Sequence, residues 1–318
     1  MRITKALIGL LLLVCFACDK SERETPNGMK FKMVKEGTGE PTKTGEVLIF
    51  NFMFKDPKDS IWWTTYTAVF PQYMVMRDTT GMHKEDGMTQ MLRMLRKGDS
   101  VLVTIPMKDF FKDYVRRPMP EKMDSTWNIT TRLKVENIMP QDSFMTYQRD
   151  FYMKLEKAQA EKDAVILDEY LAKNNIVAEK TPSGLRYVIT QPGKGENGKS
   201  GQAAKVGYLG YTIDGKYFDG SDRATAIEKG FFNSQRDQFA PYAPYDVTID
   251  RSQVIMAWHE ALKLMNKGAK ATIYVPSGLA YGPQRKGDII KENQVLIFEL
   301  EMIDLKDKMD LKDKKNEK

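Results

Sequence analysis

The stretch that decides the fold is Gly184-Leu185-Arg186-Tyr187-Val188-Ile189, followed closely by Gly193-Lys194-Gly195. The same pattern occurs earlier in the chain, without a gap, as Gly28-Met29-Lys30-Phe31-Lys32-Met33, followed by Gly37-Thr38-Gly39. A second pair of matching stretches, each ending in Lys-Gly, covers 91–98 and 261–268. Because both pairs keep the same order along the chain, the sequence predicts two paralogous domains.

Each copy consists mostly of short alternating strands with one helix, a pattern typical of an antiparallel sheet packed on a helix. In the second copy, apolar residues from Ile255 to Met265 recur at three- and four-residue spacings, which predicts a helix over 254–265. Gly268 is expected to take the left-handed conformation that ends this helix. The predicted fold class is α+β.

The segment between the two copies is rich in Lys, Glu, Ala and Leu, and it predicts one long helix or two in series that stop at Asn174-Asn175. The last residues are densely charged, which indicates a solvated tail. In chain order, the predicted division is a leader at 1–17, a tether at 18–27, a first domain at 28–141, a helical linker at 142–179, a second domain at 180–305 and a tail at 306–318.

The composition excludes several classes of protein. With 318 residues, 42% of them hydrophobic and 10% aromatic, the chain can build packed cores and is not largely disordered. Its formal net charge is +6, and its basic residues are interleaved with acidic ones rather than gathered in a patch. No nucleic-acid partner is therefore expected.

Histidine and cysteine are scarce. The chain has two histidines, His83 and His259, and two cysteines, Cys15 and Cys18, both near the N-terminus. Cys/His zinc sites, structural disulfides and cysteine catalysis are nearly excluded, so neither a metal nor a cofactor is expected. His259, which follows Trp258 on the predicted helix, is interpreted as a solvated surface residue.

The N-terminal residues predict export. Arg2 and Lys5 precede an apolar run at 6–14, which is too short to span a bilayer. The following Cys15-Phe16-Ala17-Cys18 is similar to a bacterial lipoprotein cleavage box, with Cys18 as the lipidated residue and Cys15 where leucine is usual. The alternative is an ordinary cleaved signal that leaves a free thiol. Because several acyl chains anchor a protein stably, we expect lipid anchoring at the cell envelope, at the periplasmic side or the surface of the outer membrane.

One phosphate-binding pattern is interpreted as a decoy. The stretch 193–200 satisfies G-x-x-x-x-G-K-[ST]. Phosphate binding there requires a helix directly afterwards, because the helix N-terminal amides meet the phosphates. The residues that follow, 206–212, alternate like a strand, so the stretch is predicted to be a turn.

Five separated motifs in the second copy carry a family resemblance. They are Ser183-Gly184-Leu185-Arg186-Tyr187, then Tyr208, then Asp214-Gly215-Lys216-Tyr217-Phe218-Asp219-Gly220-Ser221, then Val254-Ile255-Met256-Ala257-Trp258, then Leu279-Ala280-Tyr281-Gly282, closed by the strand 293–300. In this order and spacing, the second copy resembles the FKBP-type peptidyl-prolyl isomerases over about 180–305. The resemblance implies an antiparallel sheet wrapped around a short helix, with an aromatic pocket that holds the substrate proline.

The resemblance also implies roles for individual residues. Trp258 would form the floor under the proline ring, Asp219 the buried carboxylate beside the twisting amide, and Tyr281 the hydroxyl that bonds the peptide. The aromatic walls would be Tyr208, Phe218 and Phe298. The other substrate-binding residues would be Val254, Ile255 (through its amide), Tyr245, and Ile289 or Ile290 at the flap tip.

Such a pocket suits a chain with little histidine. Rotation about an X-Pro amide meets a barrier of about 18–20 kcal/mol and takes tens to hundreds of seconds unaided. No covalent bond is made or broken, so no nucleophile, metal or cofactor is required. A dry pocket that binds the twisted amide better than either planar form accelerates the rotation.

Two departures from the family pattern affect the site. Ile290-Lys291-Glu292 stands where the family usually has Ile-Pro-Pro, which bears on flap rigidity and substrate preference. An insertion at 222–244 is longer than in compact members. The family arginine near the carboxylate is either Arg223 or Arg236.

The first copy resembles the same fold without its active site. Phe52 stands for the wall tyrosine, Trp62-Trp63 for the Phe-Asp pair, Met88 for the floor tryptophan and Phe111 for the flap tyrosine. We expect this domain to be non-catalytic, and to bind unfolded chains, pair with another copy or position its neighbour.

The function expected from the sequence is prolyl isomerisation that assists the folding of exported proteins. Its expected partners are proline-containing unfolded or exported polypeptides and the membrane that holds the lipid anchor, with a homodimer possible. The alternative is a non-catalytic chaperone or assembly factor with the same fold.

Overall fold

The computed structural model describes residues 21–78 and 85–307. The chain divides into two compact units, residues 1–149 and 150–318. The predicted leader, the predicted lipidation site Cys18, His83 and most of the predicted tail lie outside the described residues. Within the described ranges, no helix combines the length and the apolar character needed to cross a bilayer.

The first unit contains a seven-stranded antiparallel sheet. Its strands are β1 (Glu22–Glu24), β2 (Lys30–Lys35), β3 (Glu46–Lys55), β4 (Ile61–Thr64), β5 (Gln72–Val75), β6 (Ser100–Pro106) and β7 (Asn128–Pro140). The strand order is β1-β2-β6-β7-β3-β4, and β5 also pairs with β3. The helical segments are Gly87–Met94, Met107–Asp109 and the π-helical turn Phe110–Val115.

The second unit contains another seven-stranded antiparallel sheet and a separate pair of strands. Its strands are β8 (Glu179–Lys180), β9 (Arg186–Gln191), β10 (Lys194–Asn197), β11 (Ala203–Thr212), β12 (Tyr217–Gly220), β13 (Tyr245–Thr248), β14 (Asn266–Lys267), β15 (Lys270–Val275) and β16 (Leu296–Lys306). The order in the sheet is β12-β11-β16-β15-β9-β8, with β13 paired to β11, and the separate pair consists of β10 and β14. The helical segments are Arg223–Glu228, Ser234–Phe239, Met256–Leu262 and the short turn Ser277–Leu279.

The two sheets are copies of one another. The first sheet, in the order β1-β2-β6-β7-β3-β4, matches the second sheet read as β8-β9-β15-β16-β11-β12. The additional strand β5, which pairs with β3, corresponds to β13, which pairs with β11. In both units one helix packs its apolar face on the sheet: Leu92 and Leu262 are 0–1% exposed at equivalent positions. The predicted α+β class and the repeat of one fold are confirmed.

The helix predicted over 254–265 is shorter in the structure, Met256–Leu262, and begins after Ile255. Gly268 does have a left-handed φ of 84°. It does not end the helix, however, because Asn266–Lys267 intervene and pair with β10. The glycine instead turns β14 into β15. The apolar periodicity of the sequence extends beyond the end of the helix because Met265, which lies in the turn after the helix, is also buried.

The predicted helical linker is one helix, Gln141–Lys173. It stops where expected: Asn175 has a φ of 54°, and the Asn174 side chain donates to the Tyr170 carbonyl at 2.8 Å. Its C-terminal part is packed rather than free, because Leu167 and Leu171 lie in a cluster with Tyr274 and Ile297 of the second unit.

Two further segments differ from the predicted division. The predicted tether, 18–27, contains strand β1, which pairs with β2. The last strand continues to Lys306, one residue into the predicted tail. The phosphate-binding pattern at 193–200 is followed by strand β11 rather than by a helix, as expected. The prediction that the stretch is a turn was wrong, however, because Lys194–Asn197 form strand β10, which pairs with β14.

Candidate active site

The second unit holds a cavity of about 490 Å³ between its short helix and the concave side of its sheet. Aromatic and aliphatic side chains form most of its wall, and one carboxylate faces it. The residues that line it are Tyr208, Phe218, Asp219, Tyr245, Gln253, Val254, Ile255, Met256, Trp258, Ala280, Tyr281 and Phe298. Nine of the predicted site residues therefore lie together.

Trp258 forms the floor of this cavity. The helix that carries it buries Ala257, Ala261 and Leu262 against the sheet, each at most 1% exposed, which fixes the indole position. Tyr208 and Phe298 meet the indole edge to face, with ring centroids at 4.9 and 5.7 Å. The indole Nε1–H is buried without a hydrogen-bond partner. Apolar packing therefore holds the floor in place.

Gly210 makes room for two of the walls. The Phe218 and Phe298 rings lie 5.6 Å apart, edge to face, over this residue of strand β11. A Cβ atom at position 210 would come within 2.8 Å of both rings. Because real Cβ contacts are longer, any other residue here displaces at least one wall.

Asp219, at the end of strand β12, is held by three donors. The Arg236 guanidinium donates to Oδ1 at 2.6 Å, the Gly220 amide donates to the same oxygen at 2.8 Å, and the Tyr208 hydroxyl donates to Oδ2 at 3.0 Å. From the sequence, either Arg223 or Arg236 could be the arginine beside this carboxylate. Arg236 is the one that contacts Asp219, since Arg223 pairs with Asp237 instead.

The Asp219 side chain is 41% exposed, whereas the resemblance implied a buried carboxylate. The difference arises because Asp219 borders an open cavity. A peptide in the cavity would cover it, so the carboxylate would become buried only in the bound state.

The polar groups of the site favour protonated tyrosines. Burial, followed by the negative charge of Asp219, raises the pKa of Tyr208, and the same two causes in the same order raise the pKa of Tyr281. Burial tends to lower the pKa of Arg236, but Asp219 and its other neighbours raise it on balance. The site thus combines two hydroxyl donors with a charged arginine that is paired with Asp219.

Ile289 and Ile290, predicted at the flap tip, do not line the cavity. Ile290 is 5% exposed and packs in the core of the second unit. The chain reaches that core because Lys286 and Ile290 form an isolated bridge that folds the flap back on itself. Tyr245 does line the cavity and is half exposed at its rim.

Three lining residues were missed by the sequence analysis: Gln253, Met256 and Ala280. Met256 and Ala280 lie inside quoted motifs but were given no role there, whereas Gln253 directly precedes the motif that begins at Val254. No cluster of three His, Cys, Asp or Glu residues placed to hold a metal ion occurs in the described part of the chain.

The interpretation of His259 as a surface residue was wrong. It is 5% exposed, and its Nδ1 accepts from the Asp250 amide at 3.0 Å while Nε2 lies 3.1 Å from the Ser252 carbonyl. These contacts tie the helix to the loop that leads to Gln253 and Val254 at the pocket rim. The histidine supports a wall of the cavity without facing it.

Strand register shows what replaces this pocket in the first unit. Gly210 pairs with Asp219 on one side and Phe298 on the other, while Phe54 pairs with Trp63 and Thr131. The first unit therefore has a phenylalanine where the second has glycine, and a threonine where the second has the wall Phe298.

The side chains of the first unit close the equivalent space. Phe52 lies at the register position of Tyr208: the Thr65 hydroxyl accepts from the Phe52 amide as the Ser221 hydroxyl does from the Tyr208 amide. Phe54, Phe110 and Phe111 are each at most 9% exposed, and the Trp62 ring lies 6.1–6.2 Å from the last two. The carboxylate and the flap hydroxyl are absent at these positions, as the alignment of the two copies predicted.

The fold of the second unit is that of the FKBP-type peptidyl-prolyl isomerases. A model of the family "FKBP-type peptidyl-prolyl cis-trans isomerase" matches residues 194–303. The outer membrane protein MIP of Legionella longbeachae is 30% identical over 201 residues, which are 62% of this chain and 77% of that protein. The chain belongs to this family.

Two further relatives show how much of the chain is shared. A probable FKBP-type peptidyl-prolyl cis-trans isomerase FkpA of Neisseria meningitidis serogroup B is 36% identical over 147 residues, which are 46% of each protein. The match thus spans about half the length of that relative. The crystal structure of FkpA from Escherichia coli is 28% identical and covers 53% of this chain and 74% of that one, with a TM-score of 0.35.

Proposed function

We propose that the second unit is a peptidyl-prolyl cis-trans isomerase. The observation that carries the proposal is the arrangement of the cavity: an indole floor, aromatic walls and a carboxylate fixed by Tyr208 and Arg236. Membership of the isomerase family supports it.

The cavity suits the rotation of an amide bond. The proline ring would lie on Trp258 between Phe218 and Phe298, where the apolar walls remove water from the X-Pro bond. A poorly solvated carbonyl weakens amide resonance, which lowers the barrier to rotation. Since the walls are pre-packed, they need little reorganisation as the bond twists.

Three polar groups would hold the substrate while it twists. Ile255 immediately precedes the short helix, so its N–H has no partner within that helix and can donate to a substrate carbonyl. The Tyr281 hydroxyl, kept protonated by its raised pKa, can donate a second bond. Asp219 would face the twisted amide, where its fixed charge favours the form with a more basic nitrogen.

The proposed setting is the bacterial envelope. A relative covered over most of its length is named an outer membrane protein, which supports this location for the present chain. The leader and Cys18 support export and lipid anchoring. The proposed substrates are exported polypeptides whose proline bonds must isomerise before they fold.

The test is a protease-free assay of X-Pro peptide isomerisation with the full chain. Asp219→Val and Trp258→Ala are expected to lose most of the acceleration. Trp63→Ala, at the register position of Asp219 in the first unit, is the matched control and should retain it. Equal activity in all four proteins would refute the site, and no activity in the wild type would favour the non-catalytic chaperone.

The lipid anchor is tested separately. In cells supplied with a labelled fatty acid, the wild type is expected to take up label and Cys18→Ala to lose it. Cys15→Ala, the neighbouring thiol, should still be labelled. Label retained in Cys18→Ala would contradict the assigned acceptor.

A further inference from the structure

A buried carboxylate on the long helix contacts the flap segment that carries Tyr281. Asp163 lies on the helix Gln141–Lys173, before the predicted start of the second domain, and is 0% exposed. Its Oδ1 accepts from the Gln159 side chain at 2.7 Å. Its Oδ2 accepts from both the amide and the hydroxyl of Ser277, each at 2.7 Å.

Ser277 in turn fixes both chain neighbours of Tyr281. It is 0% exposed and begins the short turn Ser277–Leu279. Its carbonyl oxygen accepts from the Ala280 amide and from the Gly282 amide, both at 2.9 Å. A continuous hydrogen-bonded path therefore leads from the helix carboxylate to the backbone on either side of the tyrosine.

The helix does not need this carboxylate for attachment. Leu167 and Leu171 pack against the outer side of the second sheet, and Asp168 forms an ion pair with the buried Arg186 at 2.6 Å. A fully buried carboxylate is costly unless every oxygen is hydrogen-bonded, and an apolar residue would serve attachment equally well. Its position against the base of the flap calls for a local role.

We propose that Asp163 is a positioning residue for prolyl isomerisation: by holding Ser277, it keeps the Tyr281 hydroxyl aimed into the cavity. This inference rests on the proposed function of the second unit. It makes the C-terminal part of the long helix a component of the isomerase. It also explains why the helix carries a charged residue at a fully buried position.

The experiment is a double-mutant cycle in the full chain. Asp163→Asn keeps the shape of the side chain but weakens its bonds to Ser277, because a neutral amide accepts less strongly than a carboxylate. We expect it to lower kcat/KM for an X-Pro peptide about tenfold in the wild type and less than about twofold in Tyr281→Phe, since contacting groups are not additive.

The matched control is Asp168→Asn, which removes the ion pair between the exposed Asp168 on the same helix and the buried Arg186, without touching Ser277. It is expected to lower the melting temperature yet keep kcat/KM within about twofold of the wild type in the folded range. An equal fractional loss for Asp163→Asn with and without Tyr281 would overturn the inference. The inference would also be overturned if, in both aspartate variants, the loss of kcat/KM were proportional to the decrease in melting temperature.

A second readout does not depend on turnover. With ¹³Cζ-labelled tyrosine, the Tyr281 signal, assigned by its loss in Tyr281→Phe, is expected to shift in Asp163→Asn and to stay in place in Asp168→Asn. An unmoved signal in Asp163→Asn would refute the positioning role. Inactivity of the wild type with a shifted signal would refute the proposed isomerase function while leaving the contact to Tyr281 intact.

Discussion

Gly210 shows how a single missing side chain shapes the pocket. A Cβ atom there would lie 2.8 Å from Phe218 and Phe298, whereas at Gly207, on the same strand, the nearest atom would be 3.4 Å away. Gly210→Ala is therefore expected to displace the walls and lower kcat/KM on the order of tenfold, and Gly207→Ala to leave it unchanged. Peptide kinetics on the two variants check this, and equal activities would show that the walls tolerate displacement.

Tyrosine ionisation predicts how stability depends on pH. Burial, then Glu299, raises the pKa of Tyr211, and burial, then Asp219, raises the pKa of Tyr208. In the unfolded chain both titrate near about pH 10. Their contribution to stability is therefore complete below pH 10 and is lost as the pH rises above it.

The measurement is the free energy of unfolding by urea between pH 8 and 11. We expect the wild type to lose stability over that interval and Tyr211→Phe to lose less, since phenylalanine does not titrate. Parallel curves for the two proteins would show that Tyr211 ionises as readily in the folded chain as in the unfolded one.

His259 marks a limit of inference from sequence. It follows Trp258 on the predicted helix, and no second histidine or carboxylate cluster accompanies it, so the sequence indicates a solvated residue. The loop around Asp250 and Ser252 covers it, and that loop has no periodicity from which its path could be predicted. Trp258, Asp219 and Tyr281, by contrast, were predicted correctly as cavity residues because each lies in a motif of its own.

At the scale of the strands, the two sheets differ in which of two paired positions carries the large side chain. Strand β11 has Gly210 opposite Phe298 of β16, and β3 has Phe54 opposite Thr131 of β7. In the second unit the large side chain of this pair is Phe298 on β16, whereas in the first unit it is Phe54 on β3, the counterpart of β11. The exchange keeps one aromatic residue in the layer, but it fills the space that the second unit keeps open.

The exchange leaves a defect that can be measured. Thr131 is 1% exposed and its Oγ1 has no hydrogen-bond partner. Thr131→Val replaces the unpaired hydroxyl by a methyl group and is expected to stabilise the first unit by about 1 kcal/mol in urea unfolding. Thr131→Ser, which keeps the hydroxyl and loses the methyl group, should not stabilise it. Destabilisation by valine would mean that the hydroxyl is bonded.

Element positions were predictable where the sequence repeats. Strands that match between the copies, such as β2 and β9 or β6 and β15, follow from alternation and from the repeat, and the stop of the long helix follows from Asn174-Asn175. Strand β1, in the predicted tether, does not. The packing of residues 150–173 of that helix in the second unit was not predictable, because Leu167 is buried while its apolar neighbours Val165 and Ile166 are exposed. Asp163, in the same segment, has the sequence context of a solvated residue.

For the whole molecule, the two copies of one fold divide into an open pocket and a filled one. Of the four tryptophans in the chain, only Trp258 belongs to the second unit, while Trp62, Trp63 and Trp127 belong to the first. Each unit therefore carries its own spectroscopic probe, and the probe of the second unit is the floor of the cavity itself.

The most direct test of an isomerase pocket in the second unit is an NMR titration of the ¹⁵N-labelled full chain with an X-Pro peptide. The account predicts cis-trans exchange peaks for the peptide and a shift of the Trp258 indole Nε1–H signal, with the other three indole signals unmoved. Exchange peaks with a shift at Trp62 or Trp63 and none at Trp258 would contradict it, as would a peptide that neither exchanges nor binds.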